Sequence, residues 1–193
     1  MIPKIIHMTY KTNIPDRYIN AWKKLNPGYK IDFSLDIDCI QFLNNNFGEE
    51  IGNLFKRIPK GMYKADLWRL CKLYVEGGVY ADVDLVPHVP INSLIKDNHT
   101  FYTALAVNRK SCFQAIIITT VKNPLVLACI FSFIRNKPWT IGNGPTFDMY
   151  NVLKKILGYY TGLRHDRVYK TNLVKININI GKKLILPFFY SPV

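Results

Sequence analysis

The sequence predicts an α/β domain in which a mixed, mostly parallel sheet is flanked by helices. Short runs rich in β-branched residues, such as KIIHM (residues 4–8) and KIDFSL (residues 30–35), alternate with stretches of helical length. A helical pattern over residues 62–76 also passes through the pair Gly77-Gly78 directly into another short strand. Such alternation favours helices packed on a central sheet. With 193 residues and 49% hydrophobic content, we expect one domain over residues 1–193.

The first half of the chain divides into alternating strands and helices. The first helix is expected to end near Asn26-Pro27-Gly28, because Pro and Gly stop helices. The helix expected over residues 62–76 should bury one flank, because Leu67, Leu70 and Leu73 recur at helical spacing. The strands expected here cover residues 4–8, 30–35 and 79–83. The helices expected here are one capped by Asp16, one opened by Asp36 or Asp38, and two that cover residues 49–57 and 62–76.

The second half carries fewer helix signals. Pro124 suits a first helical position and predicts a helix that ends at about Arg135. The loop IGNGPT (residues 141–146) is expected to lead into a helix from Thr146 or Phe147 to Leu157. The strands expected here are residues 100–107 and 115–119 and a pair formed by LVKININ (residues 173–179) and KKLILP (residues 182–187).

The formal net charge of +13 favours an anionic partner. The Lys and Arg residues are scattered along the chain, and no basic helix, zinc finger or aromatic RNA-binding motif is present, so we expect no nucleic-acid partner. Phosphorylated small molecules and peripheral contact with an anionic membrane are the other two options. The many Lys, Asn and Ile residues are equally typical of an AT-rich genome.

We expect a cytoplasmic or otherwise soluble intracellular protein. The opening MIPKIIHMTYK contains Pro3, Lys4 and His7 where a signal peptide needs a continuous apolar segment. The most apolar stretch, residues 115–134, is interrupted by Lys122-Asn123-Pro124 and leaves two pieces too short to cross a bilayer. The four cysteines match no zinc or redox spacing, which favours free thiols.

Asp82 and Asp84 stand one residue apart in EGGVYADVDLVP (residues 76–87), at the expected end of a strand. On a strand they would share a face, roughly 6 to 7 Å apart. If they are buried, two like charges in one place need a cation or a set of hydrogen-bond donors between them, and Mg²⁺ and Mn²⁺ prefer oxygen ligands. Ligands of open α/β sheets gather at the carboxyl ends of strands. The pair therefore predicts a divalent metal site, although an isolated Asp-X-Asp is more often a solvated pair of loop acids.

Asp66 and Arg69 lie three residues apart on the helix that precedes this strand. Residues at this spacing share a helix face, so both side chains can reach the space in front of the Asp pair. The alternative is an intrahelical ion pair that stabilises the helix by about 0.3 kcal/mol.

The segment YKADLWRLCKLYVEGGVYADVDLVP (residues 63–87) resembles the signature of the DXD-containing sugar transferases of glycosyltransferase family 32. The stretches IPKIIHMTYK (residues 2–11) and WKKLNPGYK (residues 22–30) resemble the first strand of that family and the turn after its first helix. KNPLVLACI and GNGPT are similar to parts of its later half. The family includes yeast α-1,6-mannosyltransferases and bacterial capsule enzymes.

This resemblance implies a GT-A fold, a nucleotide-sugar donor such as GDP-mannose or a UDP-hexose, a glycan or glycolipid acceptor, and retention of anomeric configuration. It also implies Mn²⁺ or Mg²⁺ as cofactor. Carried over by position, Asp84 would coordinate the metal that bridges the diphosphate, and Asp82 would contact ribose, sugar or metal. Asp66 and Arg69 would hold sugar hydroxyls.

The resemblance also implies a base pocket and an acceptor loop. The first strand of the family lines the base pocket through a His-X-X-Trp stretch, and here His7 is followed at that distance by Tyr10, with Thr9 between them. Asn143, Gly144 and Pro145 would shape an acceptor loop; a plain helix-entry turn is the alternative.

The chain departs from the family pattern at three places. Gln114 stands where the family has Asn before its middle strand, and Asn123 stands where it has His. The family often closes its site with a C-terminal His and Trp, whereas this sequence ends in LPFFYSPV. His165 is either a substitute ligand or a surface residue.

Two functional hypotheses follow. The first is a metal-dependent retaining glycosyltransferase that moves a hexose from a nucleotide sugar to a glycan acceptor. The second is a nucleotide-sugar-binding module that lacks the closing segment and has weak turnover or none.

Overall fold

The computed structural model describes residues 1–95, 99–106, 111–142 and 144–156, together with the backbone of residues 165–168 and 171–176. Helices and strands alternate through the first half, as expected from the sequence. The strands are β1 (Ile5–Thr9), β2 (Lys30–Ser34), β3 (Gly78–Ala81), β4 (Phe101–Leu105), β5 (Cys112–Thr119), β6 (His165–Val168) and β7 (Thr171–Ile176). The helices are α1 (Asp16–Leu25), α2 (Asp36–Phe47), α3 (Glu49–Arg57), α4 (Gly61–Glu76), α5 (Pro124–Asn136) and α6 (Gly144–Ile156).

The strands form one sheet in the order β2-β1-β3-β5-β4-β7-β6. The mixed character of the sheet is confirmed, but the expectation that it is mostly parallel is wrong. Among the described strands only β1 pairs in parallel fashion, with β2 and with β3. The other pairings are antiparallel. Parallel neighbours need a crossover helix, whereas β4 and β5, like β6 and β7, follow each other without one.

Helix α4 is buried on every side over two turns. All residues from Asp66 to Leu73 are buried, so the expectation of one buried flank is wrong. The helix contacts the sheet at β1, β3 and β5 and is covered by α2, α3 and α5. A helix between a sheet and a second helical layer has no solvent face. Any charged side chain on α4 therefore needs a partner inside the protein.

Strand β3 is shorter than the sequence pattern indicates. It ends at Ala81, and the backbone N–H of Asp82 makes a last hydrogen bond to the Ala115 oxygen at 2.9 Å. The N–H of Leu85 then donates to the Asp82 oxygen at 3.1 Å and closes a turn. Asp82 and Asp84 therefore lie on a turn, and the alternation of side chains along a strand does not set their separation.

Other boundaries differ in part from the expected ones. Asp16 is the first residue of α1 rather than its cap. Helix α2 begins at Asp36, one of the two expected starts, and the Asp38 carboxylate accepts a hydrogen bond from the Leu35 N–H. Helix α6 begins two or three residues earlier than expected, at Gly144. β7 is confirmed as a strand, but it pairs with β4 and β6. Residues 182–187, its expected partner, lie outside the described residues.

The four cysteines are free and buried, as expected. Burial raises the pKa of the Cys39 and Cys112 thiols to about 12. These thiols stay protonated near neutral pH, which argues against thiolate chemistry. In the part of the chain that the structure describes, no helix is long and apolar enough to span a bilayer.

A cluster of charged side chains fixes α4 against β1 and β2. His7 is fully buried; its Nδ1 lies 2.9 Å from Asp32 Oδ2 and its Nε2 donates to the Gly77 oxygen at 2.9 Å. Lys72 Nζ lies 3.0 Å from the same Asp32 oxygen and also pairs with Glu76. The hydrogen bond from His7, together with Lys72, holds the pKa of Asp32 well below its usual range despite partial burial. The cluster joins three elements through one carboxylate.

The Gly77-Gly78 turn brings α4 directly into β3. Both glycines have positive φ, +63° and +92°. A Cβ atom on Gly78 would lie 2.7 Å from the Ile5 backbone oxygen, and one on Gly77 would lie 2.8 Å from the Val121 nitrogen. Only glycine combines this backbone conformation with so close an approach to β1.

Replacing Gly78 by Ala is expected to lower the free energy of unfolding by about 2 to 4 kcal/mol, because strain at positive φ adds to a clash with a strand backbone. Urea unfolding measures this loss of stability. Gly28→Ala is the control, since a Cβ there meets nothing within 4 Å, and we expect it to change the free energy of unfolding by less than about 0.5 kcal/mol. Equal effects of the two substitutions would contradict this account of the turn.

Asp32→Asn tests the charged cluster. A carboxyl group whose pKa is lowered by folding contributes stability that is fully present above its unfolded pKa of about 3.9, and this contribution declines as the pH falls from that value toward the much lower folded pKa. We expect the substitution to cost about 2 kcal/mol at pH 7 and clearly less at about pH 2. Urea unfolding at both pH values checks this. A cost that does not change with pH would show that the carboxylate charge is unimportant.

Candidate functional site

A cavity of about 620 Å³ opens at the carboxyl ends of β1 and β3. The two strands are parallel neighbours of the sheet, so their ends share one edge, and this is the edge where open α/β sheets bind ligands. The walls come from the end of β1 and the loop after it, the first turns of α1 and α4, and the turn after β3. The lining residues include Thr9, Tyr10, Lys11, Arg17, Tyr18, Met62, Arg69, Tyr80, Asp82 and Asp84.

Arg69 forms the floor of this cavity and joins three elements. Its Nη2 lies 3.2 Å from Asp66 Oδ1 and 3.4 Å from Asp82 Oδ1. Its Nη1 donates to the Gln114 backbone oxygen at 2.5 Å, and its Nε donates to the Ala65 oxygen at 3.2 Å. A planar guanidinium can satisfy acceptors in several directions at once, which a lysine ammonium cannot do in this geometry.

The expected intrahelical ion pair between Asp66 and Arg69 exists, but it is buried rather than exposed. Burial alone would lower the pKa of Arg69, yet Tyr80, Asp66 and Asp82 together raise it, so the guanidinium is charged. Burial, with a smaller contribution from Asp82, raises the pKa of Asp66 to about 6, and Arg69 opposes this rise. Keeping the Asp66 carboxylate charged in this buried place costs free energy, and carboxylates with such perturbed pKa values are common at functional sites.

The Tyr80 side chain fixes the Asp82 carboxylate by a hydrogen bond. The Tyr80 hydroxyl donates to Asp82 Oδ1 at 2.6 Å, and the Arg69 guanidinium lies 4.3 Å from the centre of the Tyr80 ring. Burial, offset in part by Arg69, raises the pKa of Tyr80 well above its usual value, so the hydroxyl stays a donor. One oxygen of Asp82 is therefore engaged from two sides.

Asp84 differs from Asp82 in its surroundings. Its side chain is exposed on the cavity wall, whereas the Asp82 side chain is 31% exposed. Among the described residues, none makes a hydrogen bond or ion pair with the Asp84 carboxylate. Both of its oxygens are available to a ligand or a cation.

The structure separates the three residues expected in the base pocket. Tyr10 lines the cavity with 44% of its surface exposed, so its ring can stack on a flat ligand. Thr9 also reaches the cavity, but its hydroxyl donates to the Ser34 oxygen at 2.9 Å. The expectation for His7 is wrong, because both ring nitrogens are engaged in the buried cluster and the side chain does not reach the cavity.

The acceptor-loop residues lie at the start of α6. Gly144 and Pro145 are its first two residues and are not part of the cavity wall. Pro145 is linked to the floor, because its backbone oxygen accepts a hydrogen bond from Gln114 Nε2 at 3.0 Å. Asn143 and the side chain of His165 lie outside the described residues. The acceptor role of these residues stays a prediction.

Sequence reasoning missed the positive mouth of the cavity. Lys11 and Arg17 are exposed on its wall, and the Arg17 guanidinium lies 4.9 Å from the centre of the Tyr18 ring. Lys11 lies in the loop after β1 and Arg17 in the first turn of α1, and this position at the ligand-binding edge is the signal that could have found them.

A second group of possible metal ligands is not a cation site. His7, Asp32 and Glu76 bring their ligand atoms within 4.8 Å of one another. Lys72, however, pairs with both carboxylates and supplies the positive charge there. Two tryptophans have structural positions: Trp68 is fully buried, and Trp139 packs on Phe133 with ring centres 5.0 Å apart.

Arg69→Lys is expected to lower the free energy of unfolding by about 3 kcal/mol at pH 7.5, because buried acceptors lose their partner. The loss should shrink at pH 5, because the pKa of Asp66 lies above its unfolded value and protonation of this carboxyl then favours the folded state. Urea unfolding at both pH values measures this. Arg17→Lys, on the exposed mouth, is the control and should change little; an Arg69→Lys loss independent of pH would contradict the assignment.

Three curated proteins that are similar to this chain are all glycosyltransferases by name. An initiation-specific α-1,6-mannosyltransferase of Candida albicans is 30% identical over 106 residues, which are 50% of this chain and 28% of the relative. An inositol phosphoceramide mannosyltransferase of Schizosaccharomyces pombe is 34% identical over 88 residues, 44% of this chain and 24% of the relative. An uncharacterized glycosyltransferase of Acanthamoeba polyphaga mimivirus is 38% identical over 93 residues, 45% of this chain and 37% of the relative. The chain thus spans between 24% and 37% of the length of these relatives.

A solved structure and a family model complete the comparison. The fold is similar to that of the PaToxG glycosyltransferase, with a TM-score of 0.58 and 18% identity over 80% of this chain and 69% of the other. This confirms a GT-A-like α/β fold. Residues 15–101 match the family model of the glycosyltransferase sugar-binding region containing a DXD motif, and that match includes α4, Asp82 and Asp84. Residues 15–101 are therefore similar to the sugar-binding region of glycosyltransferases that contains a DXD motif.

Proposed function

We propose that this protein is a metal-dependent retaining glycosyltransferase that moves a hexose from GDP-mannose or a UDP-hexose to a glycan or glycolipid acceptor. One observation carries the proposal: the exposed Asp84 carboxylate and the anchored Asp82 share the wall of a large cavity at the ligand-binding edge of the sheet. The names of the relatives, which are mannosyltransferases and glycosyltransferases, support the reaction class.

The residues at the turn fit a hard divalent cation. Asp66, Asp82 and Asp84 together carry more negative charge than Arg69 neutralises, and the surplus lies on the cavity wall. Among the residues that the structure describes, none is a partner of either Asp84 oxygen, and the contacts of Asp82 with Tyr80 and Arg69 are made through its Oδ1. Oxygen-only donors of this kind suit Mn²⁺ or Mg²⁺. Bound there, the ion would neutralise negative charge that develops on the leaving diphosphate.

The other residues of the cavity have separate tasks in this proposal. Asp84 holds the cation and Asp82, fixed by Tyr80 and Arg69, orients ribose or sugar beside it. The Tyr10 ring stacks on the base. Lys11 and Arg17 at the mouth add positive charge that attracts an anionic donor.

The partners of Asp66, Asp82 and Asp84 decide whether one of these carboxylates is free to act as a nucleophile in a retaining reaction. A double displacement needs a carboxylate that is free to attack the sugar, as in retaining glycosidases. Asp66 and Asp82 both pair with the Arg69 guanidinium, and Asp84 is proposed to bind the cation. We therefore favour departure and attack on the same face of the sugar, with the leaving diphosphate assisting the acceptor hydroxyl. Arg69 stays charged throughout and keeps the two acids in place.

The acceptor is proposed to approach at the cavity mouth. Tyr10 and Met62 are 44% and 63% exposed there, next to Lys11 and Arg17. An apolar and basic rim suits an acceptor that is presented at an anionic membrane surface, and the net charge of +13 favours such peripheral contact. Nucleic acid is not part of the proposal.

Asp84→Asn is expected to reduce Mn²⁺-dependent release of GDP or UDP at least 100-fold, because a neutral amide is a poor ligand for a hard cation. A panel of nucleotide sugars, incubated with Mn²⁺ or with EDTA, identifies the donor through the nucleotide released. Glu50→Gln, an exposed carboxylate on α3, is the matched control and should behave as wild type.

Three results of this assay would be decisive. If wild-type protein consumes one donor with Mn²⁺ but not with EDTA, and Asp84→Asn does not consume it, the transferase hypothesis is supported. Wild-type rates in Asp84→Asn would contradict the metal assignment. Metal-dependent binding of a donor without turnover, also after addition of candidate acceptors, would favour the second hypothesis, a nucleotide-sugar-binding module.

A further inference from the structure

Three side chains reach from α1 and the turn after it to the segment that follows the Asp turn. The indole Nε1 of Trp22 donates to the Leu85 backbone oxygen at 3.1 Å. Asn26 Oδ1 accepts a hydrogen bond from the Ile91 N–H at 2.8 Å, and the Tyr29 hydroxyl donates to Asn92 Oδ1 at 2.8 Å. We call Trp22, Asn26 and Tyr29 the α1 clamp. All three lie in the WKKLNPGYK stretch, and none of them lines the cavity.

The α1 clamp is itself rigid. Trp22 is 2% exposed, Asn26 is 3% exposed and Tyr29 is 8% exposed. Asn26 Nδ2 also donates to the Trp22 backbone oxygen at 3.1 Å, which ties the end of the helix to the next turn. Buried side chains with few accessible rotamers hold the groups to which they are hydrogen-bonded in one position.

The peptide groups around Asp84 are held from both directions. The Leu85 N–H donates to the Asp82 oxygen, and the Asp82 N–H donates to Ala115 on the sheet. The Leu85 oxygen is held by Trp22 from the opposite side. Leu85 directly follows Asp84, so its fixed peptide sets the direction in which the Asp84 side chain leaves the backbone.

Asp84 needs such support from the backbone. Its carboxylate has no partner among the described residues, whereas Asp82 is oriented by Tyr80 and Arg69. An exposed side chain on an unsupported turn would sample many positions and would lose entropy on binding a cation.

We propose that Trp22 is a positioning residue for Asp84: its indole N–H holds the Leu85 carbonyl and thereby pre-organises the Asp84 carboxylate for a divalent cation. The inference rests on the proposed function in one respect, namely that Asp84 is the residue that binds the cation. Asn26 and Tyr29 extend the same support to residues 91 and 92.

The test compares Trp22→Phe with Trp68→Phe. Both substitutions remove a buried indole and leave a smaller ring. Among the described residues, however, Trp68 Nε1 has no hydrogen-bond partner, so Trp22→Phe breaks a hydrogen bond of the described structure and Trp68→Phe does not. The first readout is amide hydrogen exchange of the metal-free proteins. We expect exchange of the Leu85 amide to become at least about tenfold faster in Trp22→Phe and to be unchanged in Trp68→Phe.

The second readout is binding of Mn²⁺ in the presence of GDP or UDP, followed through the electron paramagnetic resonance signal of free Mn²⁺. We expect the Kd for Mn²⁺ to rise about five- to tenfold in Trp22→Phe relative to Trp68→Phe, because loss of one supporting hydrogen bond loosens the ligand without removing it. Asp84→Asn serves as the reference for a lost ligand and should bind far more weakly than either.

The outcomes separate the two proposals. Unchanged Mn²⁺ binding in Asp84→Asn would overturn the metal site of the proposed function. Weakened binding in Asp84→Asn, together with equal Kd values and equal Leu85 exchange in the two Trp→Phe variants, would overturn the role of Trp22 alone. If Trp22→Phe does not fold, 3-benzothienyl-alanine at position 22 replaces the N–H by sulfur and keeps the ring shape, and the same rise in Kd and in exchange is expected.

Discussion

The guanidinium of Arg69 is the interaction on which the rest of the site depends. It is a buried cation that binds a carboxylate from its own helix, a carboxylate from the turn after β3 and a backbone oxygen of β5. A buried charge is tolerated only when its partners are complete, so the three elements can pack together only in this arrangement. The cavity is the space that this packing leaves open above the guanidinium, and its negative wall is a consequence of placing two acids around one base.

Helix α4 can hold Arg69 in this place because its C-terminal part is fixed in two ways. Lys72 joins it to Asp32, which also contacts His7, and the Gly77-Gly78 turn leads it into β3 in direct contact with β1. The same helix therefore carries a structural ion cluster on one turn and the floor of the cavity on the preceding one. The α1 clamp adds support on the other side of the Asp turn, so the two aspartates are held by different means: Asp82 through its side chain and Asp84 through the backbone that follows it.

Much of this arrangement could be predicted from the sequence, and the exceptions have physical causes. The bounds of α3 and the end of α4 at its glycines follow from local signals, and the resemblance of residues 63–87 indicated the family. The sequence does not reveal that α4 is buried all round, because Asp66, Arg69 and Lys72 look like a solvent face until their partners on other elements are known. His7 was misplaced for the same reason, since its partners Asp32 and Gly77 are distant in the chain. The pairing of β3 with β5 depends on contacts between residues more than 30 positions apart, which no local pattern encodes.

We propose that this cavity binds a nucleoside diphosphate through a divalent cation at Asp84. Crystals grown with Mn²⁺ and GDP or UDP, measured at a wavelength where manganese scatters anomalously, test this proposal. We expect an anomalous peak in contact with the Asp84 carboxylate, with the diphosphate beside it and the base against Tyr10. A peak at His7, Asp32 and Glu76, or a nucleotide bound away from the Asp turn, would contradict it.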